Sequence, residues 1–132
     1  MDCIFCKVVN KDVPNHTVYE DESVLAFLDI FPHAKGHTVV ILKEHGETVL
    51  DYSEEAVAAL MIGVRRAMGR IDAVLSPEGY NVGWNHGDIG GQMVKHLHVH
   101  IMPRYSGDGG KSMHAVVDHP QGDVSELAKL FV

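Results

Sequence analysis

Apolar residues recur at three- and four-residue intervals through Val57, Leu60, Met61, Val64, Met68, Ile71 and Leu75. That spacing lines one face of a helix. Ser53 supplies an N-cap, Glu54 and Glu55 suit the first turn, and Pro77 stops the run, so a long helix is predicted over Ser53–Leu75. Met61 and Met68 are placed in its core face. Ile4, Phe5, Val8 and Val9 also recur at helical spacing, which predicts a short helix between Cys3 and Asn10, ahead of Pro14. Elsewhere the chain is alternating or β-branched. Thr17–Glu20 and Val24–Asp29 flank the turn residues Asp21 and Glu22 and read as a hairpin. His37–Leu42 has the composition of a central strand. Tyr80–Trp84 and Val94–Pro103 complete the strands, and the Asp123-Val124-Ser125-Glu126 stretch resembles a capping box that starts a last helix through Leu130. Pro32–Gly36 and Asn85–Gln92 are loops, and Gly107–Gly110 is a turn or a mobile flap. This order predicts an α+β fold: an antiparallel β-sheet with one long helix and short N- and C-terminal helices.

Composition narrows the classes without changing that picture. The 132 residues suit one domain spanning the chain, and 45% hydrophobic with 22% charged residues is an ordinary globular balance. The formal charge of −7 argues against nonspecific binding to nucleic acid or to an anionic membrane. The first residues lack the pattern of a signal peptide, and no apolar run approaches a membrane span, so a cytoplasmic protein is expected.

Chemistry concentrates in Val94–Pro103. Leu97, Val99 and Ile101 alternate with His96, His98 and His100, so a strand would bury the first set and gather the imidazoles on its other face. Such a row admits three readings: ligands of one catalytic metal, a histidine nucleophile with helpers, or a solvated polar face. The preceding loop, Asn85-His86-Gly87-Asp88-Ile89-Gly90-Gly91-Gln92-Met93, lets backbone approach an anion closely, and Asn85 and Gln92 add side-chain donors. Anion donors beside an imidazole suggest phosphoryl or nucleotidyl transfer. A neutral imidazole is a competent nucleophile at physiological pH when one ring nitrogen is free and the other is held by a hydrogen bond. Cys3-Ile4-Phe5-Cys6 offers two thiolates, and His45 and His96 could complete a tetrahedral zinc site; a redox pair is the alternative. Asp29, at a strand end, could accept hydrogen bonds from a ribose diol.

The run His96-Leu97-His98-Val99-His100-Ile101-Met102 resembles the signature of the histidine-triad (HIT) superfamily. Cys3–Val9, Val18–Asp21, Phe27–Ile30, Gly36–Val40 and Gly90–Gln92 match as well, so the resemblance covers about residues 3–115 and is nearest to the Hint-type branch found in prokaryotes. It implies a homodimer with one continuous sheet and a hydrolase that cleaves purine nucleoside monophosphates from amine, acyl or phosphoryl leaving groups. It implies His98 as the nucleophile, forming a nucleotidyl-histidine, with His100 on the phosphate and His37 completing the cluster. Asp29 would hold the ribose, and Ile4, Phe5, Phe27 and Ile30 the base. Asn85, Gly91, Gln92 and the Met93 backbone would surround the phosphate; Met93 stands where the Hint branch commonly has Ser or Thr. Cys3, Cys6, His45 and His96 would hold a structural zinc. A dinucleoside polyphosphate hydrolase and a non-catalytic nucleotide-binding dimer are the alternatives.

Overall fold

The computed structural model describes residues 2–132. Its elements are α1 (Ile4–Val9), β1 (Thr17–Glu20), β2 (Val24–Leu28), β3 (Thr38–Leu42), α2 (Glu54–Leu75), β4 (Gly79–Gly83), α3 (Gly87–Gly90), β5 (His98–Arg104) and α4 (Val124–Ala128). The five strands form one antiparallel sheet in the order β1-β2-β3-β5-β4, as the predicted α+β architecture requires.

The alternation of side chains divides this sheet into two faces. Val24, Ala26, Val40, Leu42, Val99 and Ile101 pack against Leu60, Val64, Ala67 and Ile71 of α2. Ser53 caps that helix, its Oγ accepting from the Ala56 N–H at 3.1 Å, and Ser76 ends it in the left-handed conformation. The second face carries Leu25, Phe27, Val39 and Ile41, with Val8 and Phe5 of α1 laid over them. Cross-strand register sets His98 beside Ile41 and His100 beside Val39 on that second face. The expected split of β5 into an aliphatic face and a histidine face therefore holds.

Four local expectations change. Met61 is 47% exposed because α2 meets the sheet along Leu60, Val64, Ala67 and Ile71, and Met61 lies to the side of that line. The histidine strand begins at His98 rather than Val94: the Leu97 N–H donates to the Gly46 carbonyl at 2.9 Å, which draws residues 94–97 out of the ladder. Within the Asn85–Gln92 loop, residues 87–90 close a single helical turn. At the C-terminus Asp123 caps the Ser125 and Glu126 N–H groups, while Glu126 pairs with Lys129, so only the N-cap half of a capping box forms. Among the described residues, no helix is long and apolar enough to cross a membrane.

Candidate active site

The three alternating histidines do not converge on one point. His96, in the bend before β5, donates from Nε2 to the Leu42 carbonyl at 2.8 Å. Its Nδ1 therefore carries the lone pair, and it faces Cys3 Sγ at 3.5 Å, Cys6 Sγ at 3.6 Å and His45 Nδ1 at 3.3 Å. Cys6 Sγ lies 3.3 Å from His45 Nδ1. A tetrahedral zinc with ordinary bond lengths has ligand edges of about 3.3 Å for N···N and about 3.6 Å for N···S. These two cysteines and two histidines fit that figure in donor type and in spacing. The turn carrying His45 is fixed by Tyr52, whose hydroxyl lies 2.8 Å from the Glu44 carbonyl and 3.2 Å from that of Gly46. Sequence reasoning missed Tyr52, because its partners are backbone carbonyls that leave no pattern in the chain.

His98 is buried beneath Phe5, ring centroids 5.1 Å apart and nearly perpendicular. Its Nδ1 lies 2.7 Å from the His96 carbonyl, which can only accept, so Nδ1 bears the proton and Nε2 is left with a free lone pair. Burial holds the His98 pKa below the ordinary histidine value, outweighing the His96 carbonyl and the Asp29 charge that act the other way. The ring is neutral at pH 7. Burial of His96 and His98 removes the solvated-face reading.

His100 and His37 form a second chain of protons. The His33 N–H donates to His37 Nδ1 at 3.1 Å, so the neutral His37 ring carries its proton on Nε2. That Nε2 donates to His100 Nδ1 at 2.9 Å, which leaves the His100 proton on Nε2. Burial, and then the neighbouring His98 and His37, push the His100 pKa down to about 4. Burial also lowers that of His37, against the nearby Asp29 carboxylate. Asp29, His37 and His100 do bring three potential ligand atoms close together. The His37–His100 hydrogen bond already occupies the two facing nitrogens, so the set is a proton chain rather than a cation site. His33 enters through its backbone N–H, a role that residue type alone does not signal.

These side chains line a cleft of about 1300 Å³ that also takes in Ile4, Phe5, Phe27, Asp29, Ile30, Asn85, Gly91 and Met93. Phe27 is buried, whereas Ile4 and Ile30 are exposed at the mouth. Asp29 accepts the Phe31 N–H on Oδ1 at 2.8 Å, with Oδ2 3.6 Å from His37 Nε2. Gly91 takes φ +94° beside the Asn85 side chain, a left-handed turn that disfavours any Cβ. Met93 is 89% exposed. Gln92 is placed differently from its neighbours. It is buried, its Oε1 accepts the Gly87 N–H at 3.0 Å, and its Nε2 donates to the carbonyls of Glu47 at 2.6 Å and Val94 at 3.1 Å. Its amide braces the glycine turn instead of facing the cleft.

An antiparallel sheet carrying buried alternating histidines beside a glycine turn defines the histidine-triad class. The HIT domain family model matches residues 10–107, and the chain belongs to the HIT family. An uncharacterized HIT-like protein of Methanocaldococcus jannaschii is 46% identical over 107 residues, covering 81% of this chain and 82% of that protein. Adenosine 5'-monophosphoramidase hnt1 of Schizosaccharomyces pombe is 42% identical over 104 residues, covering 79% and 75% respectively. The crystal structure of a HIT family member from Bacillus subtilis superposes with a TM-score of 0.84 at 37% identity, covering 99% of this chain and 95% of that one.

Proposed function

We propose that this protein is a nucleotide hydrolase that releases a purine nucleoside monophosphate from an amine or acyl leaving group through a covalent nucleotidyl-His98 intermediate. The observation that carries this reading is the 2.7 Å contact between His98 Nδ1 and the His96 carbonyl, which leaves a neutral, buried Nε2 lone pair facing the cleft. Support from relatives is at the level of the family, through the fission yeast protein named an adenosine 5'-monophosphoramidase.

In the first step the Nε2 lone pair forms a bond to the α-phosphorus and the phosphorus–nitrogen bond breaks. The amine departs with that electron pair and takes one proton from solvent. The His100 Nε2–H donates to a phosphoryl oxygen, which gains charge in the transition state. In the second step water attacks phosphorus, the bond to His98 breaks, its electron pair returns to Nε2, and a proton is released. The sum adds one water. Asp29 accepts from the ribose hydroxyls, and Phe5 and Phe27 contact the base. Gln92 serves the phosphate site by holding the glycine turn.

The same reading assigns a structural zinc to Cys3, Cys6, His45 and His96. All four positions would be filled by protein, so the metal would supply stability and no open site for chemistry. It also assigns a homodimer. β4 keeps one edge unpaired in the strand order, and α2 exposes Met61 and Ile62. A cytoplasmic setting suits a pair of thiolates that must stay reduced to bind metal. The test is hydrolysis of adenosine 5'-phosphoramidate by the parent and by His98→Ala. AMP release by the parent and none by the variant is expected; equal release by both would overturn the assignment.

A further inference from the structure

The end of the cleft beneath α1 is apolar save for two side chains, Asp29 and Asn15. Phe5 of α1 and Phe27 of β2 meet edge to face there, ring centroids 5.6 Å apart. Val13 packs on the same cluster, and the chain then passes through Pro14 and Asn15 into β1. The Leu28 N–H donates to the His16 carbonyl at 2.9 Å, which holds residue 15 beside the end of β2, close to Asp29. Asn15 is half-buried and lines the cleft. A nucleoside with its ribose on Asp29 and its base on Phe5 and Phe27 therefore brings an edge of that base to Asn15.

Other polar side chains of the cleft are held elsewhere. His33 rests against His37, and Lys35 lies over the Tyr105 ring. At the far end of β5, Arg104 clamps the Asp108 carboxylate at 2.8 and 2.9 Å, Asn81 Oδ1 at 2.6 Å and the Lys111 carbonyl at 2.7 Å. The base is thus left with Asn15 as its side-chain reader.

That amide is fixed in one sense. The Thr17 hydroxyl donates to Asn15 Oδ1 at 2.6 Å, and among the described residues Asn15 Nδ2 has no hydrogen-bond partner. An amide nitrogen only donates. With its oxygen engaged, Asn15 offers the cleft donors alone. Adenine sets an acceptor, N7, beside a donor, the 6-amino group, and an asparagine reads that pair with oxygen and nitrogen together. Guanine sets two acceptors, N7 and O6, side by side. A donor-only amide matches the second pattern and opposes the amino group of the first.

We propose that Asn15, oriented by Thr17, reads the base, and that the protein favours nucleotides of 6-oxopurines, guanine and hypoxanthine, over those of adenine. This rests on the nucleotide reading of the same cleft. Thr17 is a positioning residue here, and Asn15 touches the base.

The test is calorimetric binding of GMP, IMP, AMP and ribose 5-phosphate, which needs no turnover. The parent should bind GMP and IMP more tightly than AMP by about fivefold, the scale of one neutral hydrogen bond. Asn15→Ala should bring that ratio close to one. Asn15→Asp, which can only accept, should invert it. Thr17→Val, which frees Oδ1 to accept from the adenine amino group, should lower it while the Asn15 side chain is kept. Ribose 5-phosphate lacks a base and is the internal reference, with the same Kd expected for the parent, Asn15→Ala and Thr17→Val. A parent that binds AMP as tightly as GMP, a preference that survives Asn15→Ala, or an Asn15→Asp variant that keeps the parent's order overturns the base reading alone. A parent that binds none of the three nucleotides overturns the nucleotide reading and this inference with it.

Discussion

Replacing Gln92 with Met preserves side-chain length and deletes the amide. One N–H, from Gly87, and two carbonyls, of Glu47 and Val94, then lose their partner. A stranded buried backbone group costs about 1–3 kcal/mol. Gly87 and Val94 are half-buried and Glu47 is exposed, so water recovers part of the loss and the total is about 2–4 kcal/mol. For a chain of this length that lowers Tm by about 7–14 °C. Thermal and urea unfolding of parent and Gln92→Met, followed by circular dichroism, read the shift directly. Activity should fall as well, because the turn at residues 87–90 loses its brace. A variant that unfolds at the parent's midpoint and yet binds AMP far more weakly would refute this reasoning. Gln92 would then be a phosphate contact, and its observed hydrogen bonds would contribute little.

Other outcomes follow from the same geometry. Asp29→Ala should weaken AMP binding about 10-fold or more, the worth of a hydrogen bond to a charged acceptor; calorimetry showing an unchanged Kd would remove Asp29 from the ribose site. Purified protein should contain one zinc per chain by elemental analysis, and a strong chelator should lower Tm markedly, since metal held only by the folded state stabilises it. His96 is both a proposed ligand and the residue whose carbonyl holds His98, so metal removal should also slow nucleotidyl transfer. The pH dependence has a definite sign. His100 is held at about 4 when folded and titrates near 6.5 when unfolded, so the unfolded chain takes up the proton first as pH falls. The stability contributed by the neutral ring is complete above pH 6.5 and is lost as pH drops toward about 4. Urea midpoints between pH 7.5 and 4.5 should decline more steeply for the parent than for His100→Gln; parallel declines would contradict it.

The sheet, the long helix and the division of β5 into two faces were legible because period-two and period-3.6 patterns report burial directly. Met61 misled because the same helical stripe is written whether a residue packs on this sheet or lies beside it. The triad was legible as a motif, but its separation into a cysteine-facing His96 and a cleft-facing His98 depends on the backbone leaving the ladder before His98. That departure is held by long-range bonds, Leu97 to Gly46 and His96 to Leu42 among them. Gln92 looked like an anion donor from its glycine neighbours, while its actual partners, Glu47 among them, lie far off in sequence. The contributions of the His33 N–H, Tyr52 and the Arg104 clamp are of the same kind. They act on backbone groups or across loops, where residue type carries no periodic signal.

The most direct test of the central claim is to trap the intermediate. Parent protein mixed with the adenosine 5'-phosphoramidate substrate, quenched during the first turnover and digested under conditions that preserve phosphoramidate bonds, should yield one peptide heavier by a single adenylyl group. Fragmentation should place that group on His98. An adduct on His96, on His100 or on the N-terminal cysteines, or rapid turnover with no adduct at any time, would contradict the account.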